Sequence, residues 1–298
     1  MKETWNDVRI SAPAKINLHL AVGNKQPDGF HEISSVFCTT GLCDTVRVRY
    51  QPASVPSVTV TGVEAYCAPG SDTMAKAALA WMGESGVSLK VTVDCVKRIP
   101  VQAGLGGGSS DAAAVLRALD RFHPIGEDRL ATVACAVGSD VSFFVSGYPC
   151  AYVTGRGERV EPLSSRAWHV CLVMPRNLSV STGLAYRALD AVSRPALPSR
   201  KAVLAALAKG LNTWDGIFRN DFLSVVDGRL VYQQLAELQQ GLDGYGSLSG
   251  SGACWFFLSE KKDQVDAFCR RVTEVMPCSV DTWVVSAGSA VVTETDSV

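Results

Sequence analysis

The sequence is short of the features that mark several protein classes. No apolar run approaches the roughly 20 residues a membrane-spanning helix needs. The opening residues, MKETWNDVRI, hold no apolar signal core. These gaps predict a cytoplasmic protein without a membrane partner. Positive charge is not in excess, with 28 Lys and Arg against 29 Asp and Glu, a net charge of -1. A broad basic face for nucleic acid is therefore not expected. Histidine is scarce, at four residues, and none of the ten cysteines forms a Cys-x-x-Cys pair or stands at zinc-site spacing with histidine. Most cysteines lie inside apolar patterns such as VTVDCV and HVCLVM, so reduced, buried thiols are expected.

What is present is an ordinary globular composition, 47% hydrophobic and 19% charged, in 298 residues. That length favours two fused domains over one core. VRVRY (Val46 to Tyr50), VTVT (Val58 to Thr61) and LKVTVDC (Leu89 to Cys95) alternate as half-buried strands do. Met74, Ala77, Ala78, Trp81 and Met82 have helical spacing, closed by Gly83 and Gly86. A second amphipathic helix starts at Ser109 or Ser110 and ends before His123-Pro124, and a third covers about Glu127 to Val137. VSFFV reads as a strand after Gly138. The second half restarts at HVCLVM, passes a helix around Gly183 to Val192, and closes with a helix from Lys262 to Val275 and the strand DTWVV. These patterns predict an α+β protein, divided between Gly157 and Ser165 into domains of 1–160 and 161–298, with a loose tail at ETDSV.

The stretch QAGLGGGSSDAAAVLRAL, Gln102 to Leu119, sets four glycines and two serines before a helix. Glycine is costly to order, so the cluster implies that the backbone approaches something closely. A glycine loop opening a helix presents N–H groups and the positive end of the helix dipole, which suits phosphate. The common templates fail. No Gly-Lys dipeptide exists for a Walker A loop, and the third glycine of GxGxxG is Ser109 or Asp111. A ligand-free glycine turn stays open on the loop alone.

Two further stretches, APAKINLHL (Ala12 to Leu20) and LSGSGAC (Leu248 to Cys254), complete an ordered set. With PVQAGLGGGSSD they resemble the GHMP kinase superfamily, small-molecule kinases whose glycine-serine loop wraps the phosphates of ATP. PDGFHEI, GSDVSFFV and GRGERVEPL narrow the resemblance to a branch acting on a cytidine diphosphate sugar alcohol in isoprenoid precursor synthesis. The resemblance implies a ribosomal-protein-S5-like first domain and a ferredoxin-like second domain. It implies that Pro100, Val101, Gln102, Ala103, Gly104, Leu105, Gly106, Gly107, Gly108, Ser109 and Ser110 wrap ATP. Lys15 and Asp140 would be the catalytic pair, with Asp140 taking or orienting the substrate hydroxyl proton. Asn17, Phe30, His31, Thr182, Tyr186, Gly250, Ser251 and Gly252 would hold the substrate, His31 reading the cytosine edge and Phe30 stacking where the family usually has tyrosine. Mg²⁺ is implied with ATP; its protein ligand is not identified, Ser109 and Ser110 being the candidates. Asp72-Thr73 departs from an Asn-Leu pair usual near the adenine, and oligomeric state is not readable. Two other readings stand beside this one: a GHMP kinase for homoserine, mevalonate or a sugar, and a catalytically inactive nucleotide-binding protein.

Overall fold

The computed structural model describes residues 5–294 apart from 69, 165, 215, 227, 278 and 289–292. Cys278 and the end of the expected tail, 295–298, lie outside the described residues. The chain order is β1 (Asn6–Lys25), β2 (His31–Pro52), β3 (Ser57–Thr61), α1 (Thr73–Ser85), β4 (Leu89–Val96), α2 (Gly107–Phe122), α3 (Glu127–Val137), α4 (Val141–Ser146), β5 (Cys150–Gly155) and β6 (Arg159–Pro162). It continues with β7 (Trp168–Pro175), α5 (Thr182–Asp190), α6 (Arg200–Lys209), α7 (Arg229–Leu238), β8 (Tyr245–Leu248), β9 (Trp255–Ser259), α8 (Lys262–Val275), β10 (Val280–Ala287) and β11 (Thr293–Glu294).

β1 and β2 form one long antiparallel hairpin. β4 and β5 share the outer edge of β2, β4 along its second half and β5 along its first, with β3 beyond β4 and β6 beyond β5. A second antiparallel sheet runs β10-β7-β9-β8 and meets the first where Ala287 pairs with Thr40. Helices α1 to α4 pack together over the first sheet, and α8 covers the second. Leu89, Val91, Val93 and Cys95 of β4 are buried, as their alternation predicts.

The register of β1 slips between Pro13 and Lys15 and again between Asn17 and His19. A slip changes which side chains face which side of a sheet. Ile10, Ala12, Leu20 and Val22 join one hydrophobic core, while Ala14, Ile16 and Leu18 between the slips join the other. Lys15 and Asn17 alternate with that middle set and so point to the opposite side, where the glycine loop lies.

Two expectations are corrected. VSFFV is helix α4, not a strand. Val141, Ser142, Phe143 and Phe144 are all buried, and a short run buried all round has no period to read. Cys38 and Cys150 face each other across β2 and β5 with Cα atoms 4.3 Å apart and are joined as a disulfide. Strand pairing over 112 residues brings them together, which no local pattern signals.

Asn220 locks two loops of the second half together. Its Nδ2 donates to the carbonyls of Leu248 and Gly250 at 2.7 and 2.8 Å, and its Oδ1 accepts from Phe222 N at 2.9 Å. The side chain is buried, and the residue also bridges to Leu20 of β1. Asn220→Ala removes three bonds and strands two carbonyls, so it should cost about 2–4 kcal/mol of stability. Urea unfolding measures this; a loss below about 0.5 kcal/mol would show that the lock carries no weight.

Candidate functional site

A cleft of about 490 Å³ opens between the sheet, the glycine loop and the loop after β8. It is lined by Lys15, Asn17, all of residues 100–109, Asp140, Thr182, Tyr186, Gly250 and Ser251. The loop that forms its floor is stitched to both sides. Lys15 N donates to Leu105 O at 2.9 Å, and Cys254 N donates to Ala103 O at 3.0 Å. Gly104 has φ +74°, and a Cβ there would stand 2.0 Å from Ser249 O. Only glycine admits that approach.

Helix α2 starts at Gly107, two residues before the expected start, behind Gly106 in the left-handed region at φ +71°. Gly107, Gly108 and Ser109 thus supply first-turn N–H groups with no partner inside the helix. Pro100 has no N–H, and Ser110 N donates to Gly106 O at 2.9 Å, so these two ends of the expected cradle offer no free backbone N–H. Ser110 is buried outside the cleft, in a separate small pocket with Ile10, Ala12 and Phe144, leaving Ser109 as the loop hydroxyl on the cleft.

Lys15 is almost fully buried, and burial lowers its pKa while Asp140 opposes the drop. Its Nζ donates to Asn17 Oδ1 at 2.7 Å and Gly104 O at 2.9 Å, lies 3.5 Å from Asp140 Oδ2, and sits 4.9 Å over the Phe37 ring. Asp140 occupies the N-cap position of α4 but makes no side-chain capping bond. Its carboxylate is left to face Lys15. Asn17 lines the cleft with its amide engaged within the protein, Oδ1 also accepting from Gly250 N at 2.7 Å and Nδ2 donating to Ser35 Oγ at 3.1 Å. Thr182 and Ser251 join hydroxyls at 3.1 Å, and Gly252 is not among the residues that line the cleft.

Phe30 and His31 border a neighbouring opening, separated from the cleft by Arg156, which lines both. Phe30 is 52% exposed, and the Arg156 guanidinium lies 4.3 Å over its ring. His31 packs against Tyr186 with ring centroids 5.0 Å apart. Burial raises the Tyr186 hydroxyl to about 12, so it remains protonated at neutral pH. Asp72 caps α1 through Ala75 N, and Thr73 donates to Gly108 O at 2.7 Å, tying α1 to the glycine loop.

Thr73, Lys97, Ser139, Arg156 and Phe222 also line the cleft and were missed as site residues. Arg156 was within reach, since it stands in GRGERVEPL. Lys97 was not, because its significance is tertiary. Its Nζ bridges two buried carboxylates, Asp44 and, at 2.6 Å, Asp111 Oδ2. Asp44 also accepts from the N–H groups of Arg98 and Ile99, fixing the exit of β4 into the loop. Burial pushes the Asp111 carboxyl up to about 7, with the Asp44 charge adding to the effect and Lys97 opposing it.

Folding therefore raises this pKa above the unfolded value. The stability associated with the bound proton is complete below about pH 4 and is lost as pH rises through about 7. Urea midpoints between pH 5 and 8 should fall less for Asp111→Asn than for wild type. An unchanged or steeper fall in the variant would contradict the assignment.

This geometry now meets the known proteins. Residues 72–148 match the family model for the GHMP kinases N terminal domain. A 4-diphosphocytidyl-2-C-methyl-D-erythritol kinase from Anaeromyxobacter sp. is 45% identical over 199 residues, 64% of each chain. Its namesake from Salinispora arenicola is 36% identical over 267 residues, 84% of this chain and 83% of the relative. A crystal structure of 4-(cytidine 5'-diphospho)-2C-methyl-D-erythritol kinase superposes with TM-score 0.73 at 33% identity, covering 95% of this chain and 100% of the other. The α+β architecture is the GHMP kinase fold. Identity at this level over most of both chains places this protein in the 4-diphosphocytidyl-2-C-methyl-D-erythritol kinase family.

Proposed function

We propose that this protein is an ATP-dependent kinase that phosphorylates a hydroxyl of 4-diphosphocytidyl-2-C-methyl-D-erythritol, serving isoprenoid precursor synthesis. The observation that carries the reading is the pairing of Lys15 and Asp140, 3.5 Å apart, beside the helix-opening glycine loop in one cleft. The names of the relatives support the substrate. A catalytically inactive protein would have no need to hold a buried ammonium against a carboxylate that caps nothing. Kinases for homoserine, mevalonate or sugars would not use the Phe30-His31 corner.

Phosphoryl transfer asks chiefly for positioning and charge stabilisation. The N–H groups of Gly107, Gly108 and Ser109 hold phosphate oxygens at the positive end of α2. Asp140 orients the substrate hydroxyl and receives its proton. Lys15, 3.5 Å from the Asp140 carboxylate, stabilises negative charge that develops between them. Lys15 is held in place by Asn17 and the Gly104 carbonyl, so no reorganisation is needed during the reaction.

Mg²⁺ suits the oxygen donors present. Among the described residues no cluster of His, Cys, Asp or Glu could hold a metal alone. Mg²⁺ bound to phosphate keeps several waters and needs only one or two protein oxygens. Ser109 Oγ and the Asp140 carboxylate would provide them, and the ion would neutralise phosphate charge. The 1–160 and 161–298 division belongs to the same proposal, the first domain bearing the loop and the catalytic pair. The change of sheet between Pro162 and Trp168 supports it.

Nucleotide consumption with the cytidine diphosphate substrate, mevalonate and homoserine tests the function; turnover only with one of the latter two would refute it. Asp140→Asn should lower kcat by about 10²–10⁴ with nucleotide affinity nearly unchanged. A variant within a few-fold of wild type would remove Asp140 from the mechanism. His31→Ala should relax the preference for the cytidine over the uridine diphosphate substrate, whereas Phe30→Ala should weaken both about equally. The comparison is kcat/KM for both substrates, and full cytidine preference in His31→Ala would transfer base reading elsewhere.

A further inference from the structure

Asp190 has no part in the assignments above, yet it holds the ring proposed to read the base. Its Oδ1 lies 2.7 Å from Nε2 of His31. Tyr186 stands four residues earlier in α5, one helical turn away on the same face. The two grip one imidazole in different ways. Tyr186 packs on its face, with ring planes tilted by 30°, and Asp190 takes its edge.

The placement works against local preference. Asp190 is the last residue of α5, and a carboxylate at a helix C-terminus faces the negative end of the dipole. Lys25, 3.8 Å from Oδ2, eases the cost, and the hydrogen bond to His31 holds the Asp190 carboxyl below the usual carboxylate range. An ionised carboxylate can only accept. Nε2 therefore carries its proton toward Asp190, and in the neutral ring Nδ1 is then the acceptor.

We propose that Asp190 is a positioning residue for base selectivity, fixing the Nε2 proton of His31 so that Nδ1 can pair with cytosine and not with uracil. This rests on the reading of His31 as the base reader. In the neutral ring, Nδ1 is an acceptor that suits the exocyclic amine of cytosine and opposes the uracil O4. The neutral Nδ1–H tautomer would serve uracil O4 instead, and the carboxylate, by accepting from Nε2–H, suppresses that tautomer.

The test uses the full chain as wild type, Asp190→Ala and Asp190→Asn. Long-range 1H–15N NMR reads the His31 tautomer without substrate. Steady-state kinetics give kcat and KM for the cytidine and uridine diphosphate forms of the substrate. Wild type should show a protonated Nε2 and prefer cytidine. Asp190→Ala should populate the Nδ1–H tautomer and lose at least about tenfold of the cytidine preference, chiefly through KM. Asp190→Asn should fall between, because an amide can accept from Nε2–H or donate to Nε2. An ion pair that only supported the fold would leave tautomer and selectivity together in a folded variant. Unchanged selectivity in Asp190→Ala, or an Nε2 that stays protonated without the carboxylate, overturns the proposal. A wild type without cytidine preference overturns the base reading itself, a result seen before any variant is compared.

Discussion

The site depends on one carbonyl. Gly104 O accepts from Lys15 Nζ at 2.9 Å and from Ser249 Oγ at 3.0 Å, joining stretches 89 and 145 residues away. A buried ammonium must be satisfied, or burial would drive off its proton. A neutral carbonyl satisfies it without cancelling its charge. Lys15 thus keeps positive charge to share with Asp140. The same atom holds the glycine loop against the loop after β8, so the loop's course and the lysine's position are one constraint.

The charged groups around this point come from elements that have little to do with one another locally. The two slips of β1 turn Lys15 and Asn17 toward the cleft. The unused cap of α4 leaves Asp140 facing them. The Lys97 cluster anchors the entry to the glycine loop from behind, as Thr73 does from α1. Hydrogen bonds from β1, α1 and the loop after β8 hold the glycine loop, so it needs no regular structure of its own to keep its shape.

The sequence revealed most where a pattern is local. The alternation of Leu89, Val91, Val93 and Cys95 reads directly as β4, and the glycine loop reads as a place of close backbone approach because glycine is expensive to order. The start of α2 was placed late because Gly107 and Gly108 are poor helix formers, overridden here by the packing around them. α4 was misread because a run buried on every side has no period. The Cys38–Cys150 link and the Lys97 cluster were invisible for a shared reason: their members meet through strand pairing and helix docking. The pairing of Lys15 with Asp140 is expected only from resemblance, since an isolated lysine in a strand and an aspartate at a turn are common by themselves.

The Arg156 guanidinium over the Phe30 ring has a consequence for how any base-binding energy would be apportioned. The exposed aromatic is not bare before ligand arrives: a cation already occupies one π-face, and Asp28 restrains that cation through a salt bridge. A base settling on the same face would replace one stacking partner with another. The gain would then be the difference between two contacts, smaller than the full worth of a base on a ring. The displaced guanidinium, released at the boundary of both openings, would be free to meet the substrate's diphosphate. Recognition at this corner would proceed as an exchange of partners on one face of the ring.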